Sequence, residues 1–211
     1  MDQYSPGTQF LRFPPAIKYL LIINGLFYVA TKSLFGGAWT PIGEHVVSYL
    51  ALFPFGSELF RPWQLITYMF LHADFGHIFF NLFILWMFGQ AIENIWGTRK
   101  FLIYYLLCGL GAAVLHLLSG IPFSYTIGAS GGVYGVLLAF GMMYPNRVIM
   151  LLIPPIPIKA KYFVAIIGAI ELFSGLTNPN SGVAHFAHLG GLLVGFLLIK
   201  FWKIKRPNSY A

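Results

Sequence analysis

Six apolar stretches dominate the sequence and constrain it more than any other feature. They run over residues 16–35, 77–95, 101–118, 129–144, 162–176 and 184–202, parted by connections richer in Gly, Pro and polar residues. A helix needs about 20 mostly apolar residues to cross a bilayer. Six crossings would occupy roughly 120 positions, which a chain of 211 residues accommodates with loops to spare. Only 9% of the residues are charged, where a soluble domain carries about a quarter. So little charge cannot clothe a water-facing surface, and so many aliphatic and aromatic residues exclude a disordered chain. The expected fold is all-α, a bundle of six transmembrane helices. It comprises a short N-terminal tail (1–15), one helical domain (16–202) and a basic C-terminal tail (203–211). There is no internal repeat and no second domain.

The formal net charge is +7. The basic residues lie in small scattered groups rather than one patch, which argues against a nucleic-acid partner. In a polytopic protein such residues instead mark cytoplasmic loops. With six crossings, the side that holds both termini carries eleven of them: Arg12, Lys18, Arg99, Lys100, Arg147, Lys159, Lys161, Lys200, Lys203, Lys205 and Arg206. The opposite side carries only Lys32 and Arg61. Both termini are therefore expected in the cytoplasm. The first apolar run lacks a small-residue cleavage site and is expected to be retained. The single cysteine, Cys108, lies within an apolar run and provides no disulfide framework.

On the outer side, the first connection (36–76) is long and contains an apolar stretch, 45–55, too short to span and expected at the interface. The fourth segment is also short. From Ala129 to Tyr144 a helix extends roughly 24 Å, against about 30 Å of hydrocarbon. With its inner end at the interface beside Arg147, its outer end stops inside the membrane. The first backbone N–H groups there need protein or water as partners. An outward-facing hydrophilic cavity is the expectation.

Polar residues in the crossings gather near these outer ends. Ser130 opens segment four, His77 and Asn81 open segment two, and His185 and His188 open segment six. A spacing of four places Ser130 with Tyr134, and His77 with Asn81, on one helical face each. Gly131 and Gly135 on segment four, and Gly191 and Gly195 on segment six, are spaced as close-packing faces of membrane helices. Packing through them brings Ser130 towards His188, which is better placed than His185. A serine hydroxyl needs a base, and neutral imidazole supplies one near pH 7. A tetrahedral intermediate needs donors, for which the Ser130 amide, His77 and Asn81 are candidates. The expected chemistry is nucleophilic catalysis by a Ser130–His188 dyad, with Tyr134 packed on the imidazole. Asp2, Glu44, Glu58 and Asp74 lie outside the crossings, so no carboxylate is expected as a third member. Glu171, in segment five, is assigned only a structural polar contact.

Competing readings have less behind them. Gly128–Gly132 fits a G-x-S-x-G elbow, but the soluble sheet this motif needs is absent. His185 and His188 with His72 and His77 could start a metal site, yet no H-E-x-x-H is present. No metal or cofactor is expected. No Asp lies within a crossing, which excludes an aspartate-pair protease. A transporter is disfavoured by the lack of repeats. A non-catalytic protein that binds transmembrane helices is disfavoured by the presence of both Ser130 and His188.

These residues resemble the rhomboid family of intramembrane serine proteases over about residues 63–201. The resemblance rests on GASG at Gly128–Gly131, His72 with His77 and Asn81, AHLGG at Ala187–Gly191, and WGTRKF at Trp96–Phe101. It implies Ser130 as nucleophile, His188 as general base, and an oxyanion hole of His77, Asn81 and the Ser130 amide, with Gly128 shaping the loop. Tyr134 matches the residue packed on the imidazole, and His72 has a structural role. The resemblance further implies cleavage of membrane-anchored protein substrates near the outer end of their transmembrane helix, after small residues, without metal or cofactor. The minimal six-helix form points to a prokaryotic plasma membrane. One departure is Trp63–Gln64 where the family commonly has Trp-Arg. Gln64 cannot provide the charge-assisted fork of an arginine.

Overall fold

The computed structural model describes residues 13–34, 41–120, 123–151, 154–179 and 181–207. Most of the expected N-terminal tail and the last residues of the C-terminal tail lie outside these. Eight α-helices are described: α1 (Pro15–Val29), α2 (Pro41–Leu50), α3 (Gln64–Thr67), α4 (Phe75–Trp96), α5 (Thr98–Leu118), α6 (Ser130–Met143), α7 (Ala160–Thr177) and α8 (His185–Phe201). Each of the six apolar segments falls on one of the longer helices. Three of them, α4, α5 and α7, are long and apolar enough to cross a membrane, while α6 and α8 are apolar but shorter. A short antiparallel ribbon, β1 (Val148–Met150) with β2 (Pro157–Lys159), joins α6 to α7.

α1 begins at Pro15, whose ring presets the helical φ and whose missing N–H costs nothing at the first helical position. The next two amides, of Ala16 and Ile17, donate to the two carboxylate oxygens of Glu93 at 2.8 and 2.9 Å. Glu93 lies in the last turn of α4, is buried, and accepts a third bond from Thr98 Oγ1 at 2.7 Å. An anion at a helix N-terminus satisfies orphan donors and complements the dipole. Glu93 therefore binds the start of α1 to the end of α4.

The contacts show that the long helices alternate in direction. The α1 start meets the α4 end through Glu93. The starts of α4, α6 and α8 come together around His77, Ser130 and His188. The α7 end packs on the α8 start through Gly175, His185 and Phe186. On α4, Ile78, Asn81, Leu85, Phe88 and Ile92 face inward while Phe75, Phe79, Phe80, Trp86 and Met87 are exposed. On α7, Tyr162, Ile166, Ile170 and Phe173 are exposed in the same manner. Large apolar side chains on the outside suit hydrocarbon rather than water.

Residues 45–55, expected at the interface, are helical as far as Leu50 and then turn inward. Ala51, Leu52 and Phe53 are buried. An extended run inside protein needs backbone partners, and Leu52 exchanges both bonds with Thr126, at 3.0 and 2.9 Å. Gln64 anchors this loop without a charge. It is fully buried; its carbonyl accepts from the amides of Phe53 (3.4 Å) and Arg61 (3.1 Å), and its amide donates to the carbonyls of Ser48 (3.0 Å) and Leu59 (2.9 Å). The neighbouring Trp63 donates its indole N–H to the Tyr49 carbonyl at 2.8 Å.

Glycines let α6, α5 and α8 approach to backbone contact. A Cβ at Gly191 would overlap the Gly131 carbonyl, one at Gly190 would meet the Gly111 carbonyl, and one at Gly131 would meet Ala112. Small residues are what permit such crossings between apolar helices.

Candidate active site

Ser130 is the first residue of α6, and His188 stands in the first turn of α8. Close approach of their backbones places Ser130 Oγ 2.8 Å from His188 Nε2. Both side chains are partly buried. Two hollows lie at the opposite end. One, of about 190 Å³, is lined in part by Met143, Ile199 and Lys203. The other, of about 470 Å³, is lined in part by Trp96, Lys100 and Trp202.

The Tyr134 ring, one turn after Ser130, lies on the His188 imidazole with centroids 4.2 Å apart and planes 6° from parallel. Its hydroxyl donates a short hydrogen bond to Glu171 Oε1. Tyr134 is thus pinned at the far edge of the ring that it stacks with.

His77 approaches from the start of α4, whose first turn is capped by the Asp74 carboxylate accepting from the His77 amide at 2.9 Å. His77 Nδ1 accepts from the Ala73 amide at 3.3 Å, which leaves the ring proton on Nε2. That Nε2 lies against Gly128, where a Cβ would come within 2.6 Å of it. Gly128 has φ +126°, a conformation that only glycine adopts readily. Its amide donates to the Tyr68 carbonyl at 2.9 Å. Glycine is thus required at 128 both for its backbone angle and for the room it leaves to His77, and Ser130 Oγ lies 3.8 Å from the same Cβ position. Asn81, one turn further along α4, gives one amide proton to the His77 carbonyl at 2.8 Å and keeps the other.

His72 lies behind the site, its ring edge-on to His77 with centroids 5.0 Å apart. Its Nε2 accepts from the Ala129 amide at 3.5 Å, at the entry to α6. Burial, with His77 adding to it, pushes its pKa down to about 3. His72 is therefore a neutral prop.

Glu171 is the residue that the sequence reading undervalued. It is buried in α7, and it meets three side chains from two other helices. Oε1 accepts from Tyr134; Oε2 lies 2.6 Å from His185 Nδ1 and 3.0 Å from His188 Nδ1. The His185 contact is a well-formed hydrogen bond, whereas His188 Nδ1 is off the line that a hydrogen bond needs and is otherwise buried without a partner. His185 Nε2 is in turn 3.0 Å from Ser181 Oγ. The four-histidine set weighed for a metal does not form around one point. Glu171, His185 and His188 do bring one donor atom each within 4.8 Å of one another, a closeness that hydrogen bonding accounts for. The signal for Glu171 was available as an ionisable residue in an apolar segment, but nothing local named its partners.

A mainly helical, membrane-embedded protein with a serine–histidine contact where three helix starts meet is the class defined by these features. A family model described as Rhomboid domain matches residues 59–203. RHOMBOID-like protein 6, mitochondrial, of Arabidopsis thaliana is 35% identical over 156 residues, taking in 71% of this chain and 46% of that protein. Rhomboid protease GluP of Bacillus subtilis (strain 168) is 34% identical over 158 residues, 71% of this chain and 28% of its own. Rhomboid protease AarA of Providencia stuartii is 29% identical over 157 residues, 64% of this chain and 54% of its own. The chain spans about half the length, or less, of these relatives. It belongs to the rhomboid family and is an integral membrane protein.

Proposed function

We propose that this protein is a serine endopeptidase that cuts membrane proteins in or near their transmembrane helices. The observation that carries the proposal is the 2.8 Å contact between Ser130 Oγ and His188 Nε2, with the His77 donor beside it. Names of the relatives, two of them rhomboid proteases, support the same reading. Ser130 Oγ attacks the scissile carbonyl carbon as His188 Nε2 takes its proton. The oxyanion is held by the Ser130 amide at the positive end of α6, by His77 Nε2–H and by the free N–H of Asn81. The C–N bond then breaks, and His188 returns the proton to the leaving amine. Water repeats the sequence on the acyl-enzyme. Tyr134 keeps the imidazole plane fixed throughout, and no metal or cofactor enters these steps.

In this reading six helices cross the membrane. Both termini lie on the cytoplasmic side, and the site opens outward through a wet cavity in a prokaryotic plasma membrane. The lipid bilayer and transmembrane protein substrates are the partners. The test is incubation with a panel of transmembrane substrates, reading cut sites by mass spectrometry, alongside labelling with a fluorophosphonate. Cleavage and labelling at Ser130 are expected, both lost in Ser130→Ala and His188→Ala while the proteins stay folded. Undiminished cleavage by either variant would falsify the assignment.

A further inference from the structure

We propose that Glu171 is a positioning carboxylate for the reaction, one that holds the Nδ1 proton of His188 behind the Ser130–His188 dyad. The inference rests on the proposed serine chemistry and deepens it. A base that takes a proton on Nε2 must carry its own ring proton on Nδ1. The Nδ1–H of His188 then needs an acceptor, and the atom it faces is Glu171 Oε2, at 3.0 Å. His188 Nδ1 is buried and has no other partner. The opposite tautomer would leave a bare lone pair against a carboxylate and put the proton between Nε2 and the serine, where it blocks catalysis.

The carboxylate is itself held from two sides. Tyr134 on α6 donates to Oε1, and His185 on α8 donates to Oε2 at 2.6 Å. Its Nδ1 faces a carboxylate oxygen, which accepts, so His185 carries a proton on Nδ1 and acts as a donor. Two donors thus fix the orientation of one buried carboxylate. The hydrogen bond of His185 is already in line while that of His188 is not. Once His188 takes the serine proton, its imidazolium is the stronger partner, and Oε2 turns towards it. Tyr134 Oη and His185 Nδ1 limit how far the carboxylate can turn. No net transfer to Glu171 is required: the proton moves from Ser130 Oγ to His188 Nε2 and on to the leaving amine.

The test uses full-length protein in detergent. With a cleavable transmembrane substrate, Glu171→Gln is expected to lower kcat by on the order of 10²-fold or more, with KM little changed. A residue that merely glued helices together would lower the melting temperature and leave kcat of the folded fraction intact. Independently of any variant, ¹⁵N NMR of histidine-labelled wild-type protein should place the neutral His188 proton on Nδ1. An Nε2–H tautomer, or wild-type kcat in folded Glu171→Gln, overturns the proposal. A wild-type protein that neither labels nor cleaves counts against the serine chemistry instead, and the tautomer still decides the role of Glu171.

Discussion

Gly191 of α8 packs against the Gly131 carbonyl of α6, where an added Cβ would overlap the oxygen and no side chain fits at that position. Ser130 and His188 flank this contact, one residue before and three residues before it in their own helices. The Ser–His distance is therefore set by glycine against backbone, a contact with little compliance. Gly191→Ala drives a methyl into a carbonyl that cannot rotate away. The expected result is separation of α6 from α8, a loss of about 1–3 kcal/mol of stability, and at least tenfold slower fluorophosphonate labelling of Ser130. Gly25→Ala, where a Cβ meets nothing within 4 Å, serves as the control and should label at the wild-type rate.

Gln64 replaces an arginine fork with four neutral hydrogen bonds to backbone groups of its loop. Gln64→Leu keeps the volume and strands those four groups inside protein. A destabilisation of about 2–4 kcal/mol is expected, read by thermal unfolding in detergent, with new protease cuts between Ser48 and Arg61. Unchanged unfolding would mean that the loop is held by Trp63 and by Thr67, whose Oγ1 donates to the Leu50 carbonyl at 2.8 Å.

Glu93→Ala removes the acceptor for two amides at the start of α1 and for Thr98. Bonds to an ionised carboxylate contribute more than neutral ones. A loss of about 3 kcal/mol is expected, with early proteolysis near Phe13–Lys18 as α1 frays from α4. Equal protease resistance in the variant and the wild type would show that apolar packing holds α1 without the cap.

His72 links stability to pH. Its folded pKa of about 3 lies below the ordinary histidine value, so above that ordinary value the contribution is complete. As pH falls below about 6.5 the unfolded chain binds a proton that the folded chain refuses, and stability declines until about pH 3. By pH 5 the loss amounts to about 2 kcal/mol. His72→Gln, which keeps an acceptor for the Ala129 amide, should flatten this acid limb when unfolding is followed from pH 7.5 to pH 5. Parallel limbs in the two proteins would show that His72 protonates freely in the fold.

Ser130, Tyr134, His77 and His188 could be placed from sequence because each sits near a helix start, where position along the chain fixes depth and helical spacing fixes the face. Gly131 and Gly191 then predicted which two helices meet. Glu171 could not be read this way. Its partners are 37, 14 and 17 residues away on α6 and α8, and no periodicity within α7 points at them. Glu93 and Gln64 were obscure for the same reason: their partners are backbone groups, which have no signature in sequence.

By itself the sequence determined which stretches become helix, because a long continuous apolar run in a bilayer satisfies its amides within its own segment only as a helix, and which residues stand at the helix ends. Only the tertiary structure decided which buried polar groups share an acceptor. Hydrogen bonds across helices depend on rotation and approach to within a few tenths of an ångström. Those are settled by the packing of glycines against backbone, after every local preference has been met.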